Sequence, residues 1–147
     1  MRIYEAKPEE ARGIAKFMKS FEDETVYVKV DSDYAGAKYE FMIRNGNAHM
    51  FVLEEDNKMV GGLGCVVGPD LHTPRIIAVE TYWYVHPDYR GIGKKLLDYF
   101  EQWAKDAGYD ATAMICLSDS MSDSLEHLYL HREYTLIEKH FIKEVKR

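Results

Sequence analysis

The sequence has two cysteines, four prolines and no surplus of basic residues. Cys65 and Cys116 both sit inside apolar runs, and two thiols placed this way cannot frame the disulfide scaffold of a small secreted domain. No apolar run approaches the roughly eighteen residues that a membrane-spanning helix needs, and no secretory signal pattern is read at the start. A reduced, soluble, cytoplasmic protein without membrane attachment is therefore expected. Lys and Arg number 19 against 25 Asp and Glu, a formal net charge of −6, which is the wrong sign for a nucleic-acid binder. An acidic surface favours cationic partners such as amines. What the chain does have is core material, with 46% hydrophobic residues over 147 positions, which excludes disorder as its main state. No repeat or Pro/Gly-rich linker divides it, so a single domain spanning 1–147 is expected.

The pattern alternates between periods. Ile3–Ala6 reads as a short strand, and Pro8 opens a helix with Ala11, Ile14, Ala15, Met18 and Phe21 on one face. Asp31 and Ser32 are capping residues for a second helix to about Arg44, with Tyr34, Ala37 and Phe41 at helical spacing and Asn45-Gly46 as its stop. The period then falls to two. His49–Leu53 and Lys58–Val67 read as a hairpin around Glu55-Asp56-Asn57, and Arg75–Val85 as a long third strand. From Gly91 the period is helical again, with Leu96, Leu97, Phe100, Trp103, Ala104 and Ala107 on one face until Gly108. Ala111–Leu117 is expected as a buried strand, Met121 to about His131 as a helix, and Thr135–Val145 as a last strand. This order predicts an α/β (α+β) fold, a mixed and mostly antiparallel sheet of six or seven strands with about four helices on both faces.

One stretch concentrates chemistry. After the long strand comes a turn carrying Arg90-Gly91-Ile92-Gly93, then Lys94, Lys95 and a strongly amphipathic helix. Glycines let a ligand approach the backbone, while the first N–H groups of a helix and its dipole attract anions. The spacing is not that of a GxxxxGK phosphate loop, and no Ser or Thr follows the lysine; a dinucleotide fingerprint would need glycine where Leu96 stands. A plain strand-to-helix turn with solvated lysines is the bland alternative.

Val85-His86-Pro87-Asp88-Tyr89-Arg90-Gly91-Ile92-Gly93, with the helix behind it, resembles the acetyl-CoA site of the GNAT family of N-acetyltransferases, whose pattern there is Gln/Arg-x-x-Gly-x-Gly/Ala. Gly91 and Gly93 match its glycines; Asp88 stands where the family has Arg or Gln, and Arg90 is the nearest basic replacement. Leu125–Leu136 (LEHLYLHREYTL) is similar to the family's later A-x-x-L-Y-x-x-x-G-F element, with full matches at Leu128 and Tyr129. The element order follows that fold over nearly the whole chain. The resemblance implies acetyl-CoA as co-substrate and no metal. It places Arg90, Gly91, Ile92, Gly93 and Lys94 on the pyrophosphate and the backbone of Trp83, Tyr84 and Val85 on the pantetheine arm. Ser122 stands where many members have an asparagine that touches CoA.

Acetyl transfer to an amine requires the neutral amine, and an alkyl amine of pKa about 10.4 is neutral about one time in a thousand near pH 7.4. A carboxylate can take that proton directly or through water. Glu80, in the otherwise apolar strand IIAVETYWYV and five residues before Val85, lies where family members with a glutamate base carry it. The alternative is an outward-facing Glu on a half-exposed strand. On strict alternation Glu80, Tyr82 and Tyr84 share one face and Val79, Thr81, Trp83 and Val85 the other, unless a bulge intervenes. Tyr129 is where the family places a tyrosine that protonates the departing thiolate, and packing is its alternative role. His127 and His131 lack the acidic partner and third ligand of a zinc site, Cys65 and Cys116 read as small core residues, and His86 as a turn residue.

The expected function is acetyl transfer to a primary amine, small molecule or peptide, by direct attack in a ternary complex. The alternative is a non-catalytic CoA-binding or sensor module, and a homodimer is left open. Glu22, Asp23, Glu24, Asp31 and Asp33 are candidates to attract a cationic acceptor, or simply a solvated acidic surface.

Overall fold

The computed structural model describes residues 1–146 and separates into two compact units, Met1–Ile115 and the residues from Cys116 onward. In the first unit one sheet runs in chain order, β1 (Arg2–Glu5), β2 (Ala48–Glu55), β3 (Lys58–Pro69), β4 (Ile76–Val85) and β5 (Ala111–Ala113). All pairings are antiparallel except β4 with β5, which are parallel. The hairpin turn forms where the polar triplet placed it. Asp56 and Asn57 both take positive φ, 52° and 60°, the primed-turn geometry whose twist matches the flanking strands.

Three α-helices belong to this unit, α1 (Ala11–Met18), α2 (Ser32–Arg44) and α3 (Lys94–Asp106). A fourth, α4 (Ser122–His131), belongs to the second unit. Short 3-10 turns flank α1 at Pro8–Glu10 and Lys19–Glu24, and another, Pro87–Ile92, precedes α3. Asp31 caps α2 by accepting the Tyr34 amide at 3.0 Å. The inward face of α2 is not the expected one. Tyr34 and Phe41 are exposed, whereas Ala35, Tyr39 and Ile43 pack against the core. Gly36 sets this rotation, because a Cβ there would lie 2.9 Å from the Arg12 Cα of α1, so the two helices touch backbone to backbone at that point.

The sheet separates two layers of core. On one face Met50, Val52 and Tyr82 pack with Ala11, Ile14 and Met18 of α1. On the other, Phe51 meets Phe100 and Trp103 of α3 at ring distances of 5.9 and 4.9 Å. The α3 side chains Leu96, Leu97, Phe100 and Ala104 are buried, as their period requires.

Among the described residues the sheet has five strands rather than six or seven; one expected strand is shortened and one is not formed. Of Ala111–Leu117 only Ala111–Ala113 pairs, and Thr135–Val145 enters no ladder among the described residues, with Ile137, Phe141, Ile142 and Val145 all exposed. Strand propensity has force only against a partner that supplies hydrogen bonds and a face to pack on, and this stretch has neither here.

Candidate active site

β4 positions the central carboxylate through an irregularity. Cys65 of β3 pairs with Glu80 and the preceding Gly64 with Tyr82, so Thr81 is an extra residue, a β-bulge. The bulge overrides strict alternation. Glu80 stands opposite Cys65, and Trp83 opposite Leu63, on the face that carries Phe51 and α3; Tyr82 and Tyr84 lie on the α1 face. Tyr84 packs there at ring distances of 5.5 Å from Phe17 and 5.7 Å from Phe21.

β5 leaves β4 at the same place. Their ladder ends at Val79 and Ala113, and two residues on, the Ile115 amide donates to Glu80 Oε2 at 2.8 Å instead of pairing with β4 backbone. From Glu80 to Val85, β4 thus bonds β3 on one side and no strand on the other among the described residues. Such an edge is a row of backbone donors and acceptors to which an extended chain of amides can add.

Glu80 is 5% exposed. Burial pushes its carboxyl up to about 8, and the Ile115 hydrogen bond opposes this only in part. A group at that value accepts a proton near neutral pH and releases it readily, as a general base must. The same shift has a consequence for stability. The folded state keeps a proton that the unfolded chain releases above about pH 4.3, so the stability tied to this group is full below that pH and declines as pH rises to about 8. The slope is at most about 1.4 kcal/mol per pH unit. Thermal melts from pH 5 to 9 are expected to show a smaller decline for Glu80→Gln than for the wild type; parallel curves would place the carboxyl in water.

At the far end of β4 the chain winds into the Pro87–Ile92 turn, whose first residues are tied by the Asp88 amide donating to His86 Nδ1 at 3.3 Å. The Gly93 amide donates to Arg90 O at 3.1 Å, and α3 then starts at Lys94 with no side-chain cap. The two glycines differ. A Cβ on Gly93 would press on Val85 Cγ2 at 3.1 Å, whereas one on Gly91 would meet nothing within 4 Å. Packing therefore explains Gly93 but not Gly91. Lys94 and Lys95 are exposed.

Arg90 has partners outside the turn. Its Nη2 pairs with Glu24 Oε1 at 2.9 Å and its Nε donates to Val85 O at 3.4 Å, so the guanidinium reaches back to the Lys19–Glu24 turn. A carboxylate offered by the tertiary fold captured it, and nothing in the local sequence announced that partner. Other acidic candidates also have structural work. Glu22 accepts the Val30 amide at 2.6 Å, which holds its carboxyl below the usual range, and Asp31 is the α2 cap.

In the second unit Ser122 opens α4 and Tyr129 lies seven residues on, about two turns, so both project from one side of the helix. No side-chain bond caps α4; the Ser122 carbonyl accepts from Cys116 Sγ at 3.3 Å. Tyr129 is buried, 5.6 Å ring to ring from Tyr134. Cys116, expected in the core, is exposed because its strand is not formed, whereas Cys65 is fully buried. His127 and His131 face each other at 4.4 Å, and no group of three or more metal-ligating side chains occurs among the described residues. No helix of the described residues is long and apolar enough to cross a membrane.

Comparison with known proteins agrees with this fold. No curated protein matches the chain. Its fold is that of a ribosomal-protein-alanine N-acetyltransferase from Brucella melitensis biovar Abortus 2308, at a TM-score of 0.73 and 18% identity over 99% of this chain and 100% of that one. An aminoglycoside acetyltransferase from an uncultured soil metagenomic sample gives 0.77 and 15% over 99% and 98%. A predicted acetyltransferase with acetyl-CoA from Clostridium acetobutylicum gives 0.73 and 15% over 97% and 95%. The model of the acetyltransferase (GNAT) family matches residues 12–134, which takes in the β4 bulge, the glycine turn and α4, and the chain belongs to that family.

Proposed function

We propose that the protein transfers the acetyl group of acetyl-CoA to a primary amine by direct attack in a ternary complex. The observation that carries this reading is that β4 parts from β5 after Val79, so that from Glu80 to Val85 it pairs with no second strand among the described residues, with a buried carboxyl of raised pKa at one end and the Gly91 turn at the other. The backbone of Trp83, Tyr84 and Val85 would pair with the amides of the pantetheine arm. The start of α3, with Lys94, Ile92 and the two glycines, would receive the pyrophosphate. A neighbour of the same fold carries acetyl-CoA.

Glu80 removes a proton from the acceptor ammonium. The freed nitrogen forms the new C–N bond to the thioester carbonyl, the C–S bond breaks, and the tyrosine that the family pattern assigns, Tyr129, protonates the departing thiolate and regains a proton, the second that the nitrogen sheds, as the amide forms. An acyl-enzyme on Cys65 is disfavoured, since burial pushes its thiol up to about 12. Relatives of this fold are named for protein alanine and for aminoglycosides, so the acceptor panel includes an alanyl peptide, an aminoglycoside and a polyamine. Thiol release from acetyl-CoA that depends on one of these amines supports the proposal. CoA binding with no turnover on any amine favours the non-catalytic module.

Gly91 gives a separate check. With open space at its Cβ and no left-handed φ, Gly91→Ala should keep or raise stability by about 0.4–1 kcal/mol while weakening CoA binding, because the methyl intrudes where a phosphate must approach. Gly93→Ala should instead lower stability by about 1 kcal/mol through the Val85 contact. Thermal melts and CoA titration separate the two; unchanged CoA affinity in Gly91→Ala would remove the turn from the cofactor site.

A further inference from the structure

We propose that Glu24 holds Arg90 in reserve, and that the pyrophosphate of CoA exchanges with Glu24 for that guanidinium, so that cofactor binding releases the Lys19–Glu24 turn. The inference rests on the glycine turn being the pyrophosphate site.

Three observations carry it. Arg90 belongs to the turn by sequence, yet its guanidinium is bonded to Glu24 at 2.9 Å and to the Val85 carbonyl at 3.4 Å. Val85 ends the open edge of β4, so the ion pair sits at the point where an extended chain along that edge would reach the turn. The pair is not deeply buried, with side-chain exposures of 35% for Arg90 and 24% for Glu24, so neither partner is locked by packing. Ion pairs of this exposure are held by a factor of about two to five, whereas hydrogen bonds between charged groups are worth a factor of about ten to a hundred. The magnitudes favour the phosphate.

The exchange has a structural consequence at the turn that follows α1. Glu24 ends the turn that follows α1, and Tyr84, beside both charges, packs on Phe17 of α1 and Phe21 of that turn. Once Arg90 leaves, the turn keeps the Glu22 bond to the Val30 amide and the Lys19 bond to the Val30 carbonyl, but loses its tie to the cofactor turn. A charged residue near the open β4 edge is thereby uncovered only when cofactor is present, and a cationic acceptor would meet Glu24 after CoA rather than before it.

The test compares wild type, Glu24→Gln, Arg90→Gln and the double variant in calorimetric titrations with CoA and, separately, with pantetheine, which lacks the pyrophosphate. Glu24→Gln should tighten CoA about two- to fivefold, the factor that a weak ion pair withholds, and leave pantetheine unchanged. Arg90→Gln should weaken CoA about tenfold, and in that background Glu24→Gln should add nothing. Hydrogen exchange of the amides in 19–25 should speed up on CoA addition in the wild type and be fast already in Glu24→Gln. Unchanged or weaker CoA binding by Glu24→Gln overturns the exchange. So does a tightening that survives without Arg90, which would indicate simple charge repulsion. Absence of CoA binding by every protein, wild type included, overturns the functional reading together with the inference.

Discussion

Glu80→Gln is expected to lower kcat/KM for amine acetylation at pH 7 by about 10²–10⁴, the usual contribution of a positioned base. The carboxyl is buried, bonded by the Ile115 amide and raised to about 8, so about one-tenth is ionised at pH 7 before substrate arrives. A cationic acceptor brought beside it lowers that value and draws the proton off the group that must then receive the amine's. The wild-type rate should therefore climb with pH to a plateau above about 8. In Glu80→Gln the amide keeps the Ile115 hydrogen bond and the shape of the site but accepts no proton. Its rate should recover only as the amine deprotonates by itself, toward about pH 10. A pH–rate profile of the same shape in both proteins would remove Glu80 from proton transfer and leave it as the residue that holds Ile115 off β4.

Tyr129→Phe is expected to lower kcat by about 10² while leaving the Kd for CoA nearly unchanged. The substitution removes a donor and keeps the ring, which is 7% exposed and packed 5.6 Å from Tyr134. The departing thiolate is charged only as the C–S bond breaks. A group that protonates it stabilises the transition state and not the bound ground state. Full activity in this variant would reduce Tyr129 to packing. A loss of CoA affinity equal to the loss of kcat would assign it to binding.

Much of the site can be read in the sequence because its signals are local. A glycine turn between a β-periodic and an α-periodic segment needs no distant partner to be recognised, and α3 and the Asp56-Asn57 turn formed where the pattern put them. A lone acid in an apolar strand is likewise a local anomaly, and Glu80 is buried. The features that the sequence did not show all depended on a partner distant in sequence. The α2 face was set by Gly36 against Arg12, and the guanidinium of Arg90 by Glu24, sixty-six positions away. Cys116 and Thr135–Val145 had strand-like composition without a strand to join.

By itself the sequence determined the shortage of thiols and of positive charge, the order of elements and the residue types at the turn. Periodicity, capping and glycine placement act within a few residues. Only the tertiary structure decided which way Glu80 points, since one bulged residue, Thr81, shifts every side chain beyond it to the opposite face of the sheet. It also decided that β5 parts from β4 at that bulge, and that the guanidinium of Arg90 in the glycine turn pairs with Glu24. Register and ion pairing are settled between segments remote in the chain, where the competition among alternative partners is visible only after folding.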